Sequence, residues 1–146
     1  MDYASLAAAF PAAIVAAVAG SPQGLTTTGQ VYVADVARVP TSSVVEAWVR
    51  PDPEAPAPAE ETLGGILAVY RFHVLLYGDG LSDTALRALA NGVRSYFHGA
   101  LPSTLSAVTD LVAFNVEDWV ADEHPGKTGG AACSLVLDAI GKEWPA

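Results

Sequence analysis

The chain has 146 residues, with 16 acidic against 7 basic side chains and a formal net charge of -9, and no stretch gathers several Lys or Arg together. Without a basic face it cannot neutralise phosphates or be drawn to an anionic membrane, which excludes direct binding of DNA or RNA and surface attachment to lipid. Hydrophobic residues make up 51% and the mean hydropathy is +0.33, enough apolar surface to offset chain entropy, which excludes intrinsic disorder.

The length suits a single domain with one core. Leu6, Phe10, Ile14 and Val18 recur at every fourth residue with Val15 beside them, which predicts a helix over some or all of Tyr3 to Ala19. Pro11 either bends this helix or marks its first turn, and Gly20, Ser21 and Pro22 stop it. The run Ser5 to Ala19 is too short for a membrane span, and Asp2 stands where a secretion signal would carry a base, so neither is predicted.

Valine-rich Val31 to Val39 and the alternating Val44 to Arg50, separated by a turn at Pro40 to Ser43, predict a strand pair joined as a hairpin. Pro51 to Thr62, PDPEAPAPAEET, has proline at alternate positions and four acids, and predicts a long extended loop within the domain. Ile66 to Tyr77 is apolar on both faces and predicts a central strand, with Arg71 and His73 interrupting one face. Gly78 to Gly80 ends it.

Ser82 caps a helix whose inward stripe is Leu86, Leu89, Ala90, Val93 and Phe97, closed by Gly99. After a loop over Leu101 to Thr109, Leu111 to Ala121 predicts a strand with Val112, Phe114, Val116 and Val120 on one face. A polar tip, Asp122 to Gly130, leads to the return strand Ala131 to Ile140, which carries Cys133, Leu135 and Leu137 in register. The whole is an α+β fold: a mostly antiparallel sheet with an N-terminal and a central helix packed on it, and a long Pro-rich loop.

Gly126, Lys127 and Thr128 mimic the end of a phosphate-binding loop, but Ala121 fills the upstream glycine position and the segment joins strands rather than opening a helix. His73, His98 and His124 are dispersed, without metal-ligand spacing. Glu117, Asp118, Asp122 and Glu123 lack the glycine-containing spacing of a calcium loop. No Gly-x-Ser-x-Gly elbow occurs, and the single cysteine, Cys133, reads as a buried thiol. No catalytic residue, cofactor or metal is predicted. Arg71 and His73 read as structural ion partners, with anion binding as the alternative.

The element order, with the strand AVYRFHVLLYGDG, the helix SDTALRALANGVRSYF and the ending SLVLDAIGKEW, resembles the tail terminator (tail completion) proteins of long-tailed bacteriophages. The segment Ala68 to Phe97 carries the resemblance, which spans most of the chain. It implies a structural, non-enzymatic virion protein, assembled in the host cytoplasm as a hexameric ring on the last ring of the tail tube. That ring would stop tube growth and offer a surface to the head-tail connector or stopper, with DNA passing through the lumen unbound. Sheet edges would close the ring, with the Pro51 to Thr62 loop and the Asp122 to Gly130 tip reaching neighbouring rings.

Trp48, Arg50, Glu60, Glu61, Trp119 and Lys127 are the candidate subunit or partner contacts, tryptophan being a common interface anchor. A different connector or tail tube component, and a small ligand-binding module or enzyme, are the alternative readings.

Overall fold

A computed structural model describes residues 3–21, 25–34, 45–52, 57–62, 65–78, 80–98, 101–123 and 131–143, with backbone only for 57–62, 65–66 and 143. Helix α1 spans Tyr3–Ala17 with Pro11 inside it, and buries Leu6, Phe10, Ala13 and Ile14 as the fourfold spacing predicts. Gly20 follows in the left-handed region at φ 84°, where an L side chain would be strained. Helix α2 spans Asp83–Phe97; the Ser82 hydroxyl accepts the Ala85 amide at 3.1 Å, which satisfies one orphan donor of the first turn.

Seven strands among the described residues form one sheet: β1 Val31–Val33, β2 Glu46–Pro51, β3 Ala57–Thr62, β4 Gly65–Tyr77, β5 Leu111–Val116, β6 Val120–Glu123 and β7 Ala131–Glu143. The two 13-residue strands, β4 and β7, pair antiparallel along their whole length, from Ile66 opposite Glu143 to Tyr77 opposite Ala132. Shorter strands lie end to end along their outer sides. Strands β2 and β3 border β4, while β5 and β6 border β7, all antiparallel. Strand β1 lies outside β2.

Both helices cover one face. Phe10 of α1 meets Phe72 at 4.6 Å between ring centroids, Phe97 at 6.1 Å and Phe114 at 6.2 Å, so one aromatic cluster ties α1 to β4, α2 and β5. Ala47, Val49, Val74, Leu76, Cys133, Leu135 and Leu137 complete this buried layer. The helices cross closely at Gly92, where an added Cβ would stand 2.9 Å from the Ala17 carbonyl oxygen.

Three expectations are corrected. Strands β1 and β2 are parallel, with Val31 opposite Ala47 and Val33 opposite Val49, so they form no hairpin. The linking residues 34–45 make a connection of about a dozen residues, the length a parallel crossover needs. The proposed turn, Pro40 to Ser43, lies outside the described residues.

The Pro-rich segment is only partly tested, because residues 53–56 lie outside the described ones. Its second half forms β3, an edge strand whose register shifts between Pro58 and Glu60. An edge strand needs donors on one side alone, and a bulge accommodates the missing proline amide. The third correction concerns Leu111 to Ala121, which is two strands, broken at residues 117–119. A register shift between Leu111 and Ala113 turns Leu111 and Phe114 inward and leaves Val112 exposed; Val120, beyond the break on β6, is exposed as well.

Candidate functional site

Alternation along β2, β4 and β7 sends every second side chain to the face opposite the helices, and the sheet register sorts them into rows. Trp48 lies opposite Leu75, which lies opposite Ser134; Arg50 lies opposite His73, which lies opposite Val136. Glu46 lies opposite Tyr77. Arg71 lies opposite Asp138.

Three polar pairs form on this face. The Tyr77 hydroxyl donates to Glu46 Oε2 at 3.0 Å, both residues being buried. Arg71 grips Asp138 through Nε to Oδ1 at 2.8 Å and Nη2 to Oδ2 at 3.1 Å. That hydrogen bonding, with the charge of Asp138, holds the Arg71 guanidinium above its ordinary pKa. The Asp52 amide donates to the Arg71 carbonyl at 2.9 Å, which sets the Asp52 carboxylate 3.2 Å from His73 Nε2. Arg71 thus forms an ion pair and His73 a polar contact, each matched to a carboxylate on a neighbouring segment.

Trp48 is half-buried, and its Nε1 donates to the Ala34 carbonyl at 2.9 Å, which fixes the indole plane. The Arg50 guanidinium carbon lies 5.5 Å from the indole centroid. Beside them, Trp48, Arg50, His73, Leu75, Asp122 and Ser134 line an open cleft of about 90 Å³.

Of the six predicted contact residues, Trp48 and Arg50 are brought together here. Trp119 is elsewhere: it packs against the helix-side core and under Arg87, whose guanidinium carbon lies 5.2 Å from its ring centroid. Glu60 and Glu61 take register positions in β3 opposite Leu67 and Ile66. Lys127 lies outside the described residues, as does the Gly126 to Thr128 motif. Asp122, Ser134 and Leu75 were missed as cleft residues. Alternation alone would have placed Leu75 and Ser134 on this face, but nothing local ties them to Trp48.

The remaining sites are quickly placed. Asp118 pairs with Arg94 at 3.2 Å, and Asp122 Oδ1 accepts the Glu123 amide at 2.8 Å. Among the described residues, no group of three or more His, Cys, Asp or Glu is placed to hold a metal ion. Cys133 is fully buried, its thiol 3.6 Å from the Leu86 carbonyl oxygen, and burial pushes its pKa up to about 12. No described helix is long and apolar enough to cross a membrane.

No family model matches the chain, and no curated protein matches it. Among solved structures it aligns with a chain described as "Virion of native gene transfer agent (GTA) particle", at TM-score 0.59 and 24% identity, covering 97% of this chain and 100% of that one. The two chains share a fold. A second solved chain, 14% identical, covers 100% of this chain and 99% of its own at TM-score 0.47, too loose an alignment to carry an argument.

Proposed function

We propose that this chain is a structural protein of a phage-like virion, which forms a ring that ends the tail tube and joins it to the head connector. The observation that carries the reading is the end-to-end correspondence with a gene transfer agent virion chain, 97% of one covering 100% of the other. A shared fold by itself does not give a role, and three features support this one. The sheet leaves strand edges at β1, β3, β5 and β6 unpaired within the described chain, and such edges are templates for a neighbouring copy. The net charge of -9 suits a wall past which DNA moves without sticking. The pairing of Arg71 with Asp138 and of His73 with Asp52 occupies the two side chains singled out in the sequence for anion binding, which weighs against a ligand-binding module or enzyme.

On this reading the chain works as one α+β domain, assembles in the host cytoplasm, and closes by a head-to-tail interface repeated around a rotation axis. Its partners are further copies, six in a ring, the tail tube protein and the connector or stopper.

Light scattering coupled to size exclusion tests the proposal, run with and without the tail tube protein of the same genome. A hexamer, or a monomer that becomes a ring when tube is added, is the expected result. A monomer indifferent to the tube overturns it.

A further inference from the structure

Four arginines lie among the described residues, and three are neutralised: Arg71 by Asp138, Arg87 by Asp83 and Arg94 by Asp118. Arg50 has no carboxylate among the described residues. Its guanidinium instead lies over Trp48, at the mouth of the cleft on the open sheet face. In a chain with nine excess negative charges, an exposed arginine without an acid among the described residues is a candidate for an external one.

The cleft's size narrows what it can take. At about 90 Å³ it has room for roughly three waters, far below the several hundred Å³ of a cofactor or metabolite site. One side chain of a macromolecule fits. Its chemistry narrows the choice further: the Arg50 N–H edge and the Ser134 hydroxyl line it with donors, while the His73 Nε2 is already engaged by Asp52. The one lining carboxylate, Asp122, accepts the Glu123 amide through Oδ1. The indole covers one face of the guanidinium, excludes water from it and leaves the N–H edge free for two parallel bonds to a carboxylate.

We infer that this cleft receives an Asp or Glu side chain from a second copy of the chain. The inference rests on the ring reading above and names the contact that would close the ring. Copies carrying -9 each repel one another, and a cation at the contact offsets part of that repulsion. Arg50 supplies it, anchored on Trp48, in the aromatic and arginine pairing that carries binding energy at interfaces. An acid placed away from the cleft would let each copy give one and take the other, as a closed ring requires.

The test compares the concentration dependence of assembly, by light scattering at low and high salt, for the native chain, Arg50→Gln, Arg50→Lys and Ser95→Glu. Ser95 is exposed on α2, and Ser95→Glu shifts the net charge by the same one unit as Arg50→Gln. Arg50→Gln is expected to weaken assembly at least about tenfold, the loss of one charge-assisted contact, with Arg50→Lys intermediate and Ser95→Glu unchanged. Assembly of Arg50→Gln at native strength overturns the inference and leaves the ring reading standing. Equal weakening by Ser95→Glu reduces the effect to overall repulsion and overturns it too. If Arg50→Gln forms the ring but no longer binds tube protein, the occupant is the tube and not a second copy. A native chain that stays monomeric with and without tube fails the ring reading itself.

Discussion

Arg71 and Asp138, 67 residues apart in sequence, face each other across β4 and β7 and share two hydrogen bonds of 2.8 and 3.1 Å. The carboxylate side chain is 10% exposed while the guanidinium side chain is 47% exposed, so the acid depends on the base more than the base on the acid. Replacing Arg71 by Ala strands a buried charge. Solvent reaching the site keeps the cost toward the lower end of the usual range, about 1–2 kcal/mol. Urea unfolding should show that loss for Arg71→Ala, and the double variant Arg71→Ala/Asp138→Ala should be more stable than the sum of the singles predicts.

Gly92 sits where the helices cross, with the Ala17 carbonyl oxygen 2.9 Å from where a Cβ would stand. Alanine favours a helix over glycine by about 1 kcal/mol, yet here the obstructing atom is backbone and cannot step aside. Overpacking of about 1–3 kcal/mol should win, so Gly92→Ala is expected to lower the thermal midpoint. The same substitution at an open helical position would raise it.

The pH dependence at Cys133 has a definite sign. Below the ordinary thiol value of 9.0 both folded and unfolded chains keep the proton, and the group contributes nothing to the balance. Above it the unfolded chain loses the proton while the native thiol holds on to about 12, so stability falls as pH rises through this window, by up to about 1.4 kcal/mol per pH unit. Denaturant titrations at stepped pH should show the native chain losing more stability than Cys133→Ala between these two values. Equal slopes would refute the assignment.

Gln30 secures the parallel pair. Its Oε1 accepts the Thr26 and Thr27 amides, each at 2.9 Å, and its Nε2 donates to the Val45 carbonyl at 3.0 Å. Gln30→Ala removes all three contacts where β1 begins and β2 is about to. A loss of about 1–2 kcal/mol is expected, together with faster amide exchange in Val31 to Val33 than in the native chain.

The helices and both long strands were legible in the sequence because each carries its own period: four-residue spacing from Leu6 to Val18, two apolar faces from Ile66 to Tyr77, and alternation through Cys133, Leu135 and Leu137. The β1 to β2 direction was not, since a valine-rich pattern is the same read either way and the long-range bonds of Gln30 and Trp48 that accompany the parallel pairing carry no local mark. Strand β3 was hidden by prolines that forbid a central position but not an edge. The outward turn of Val112 came from a one-residue register shift, which inverts the parity that alternation relies on. On the open face, Arg71 and His73 could be singled out, but their carboxylates, Asp138 and Asp52, lie 67 and 21 residues away with no local mark. Trp48 and Arg50, two apart on one strand, were legible as neighbours; the cleft beside them needed four strands in register.

The end-to-end arrangement along β4 and β7 has a consequence for how the molecule yields. Each 13-residue strand spans roughly 43 Å and is hydrogen-bonded to its twin throughout, whereas the flanking strands are short segments with a joint between them. Amides shared by β4 and β7 should resist deuterium longest, while β3 and β6 open one at a time without disturbing the pair. A neighbour that borrows an outer segment could therefore do so at the cost of a few backbone bonds, with the central beam intact.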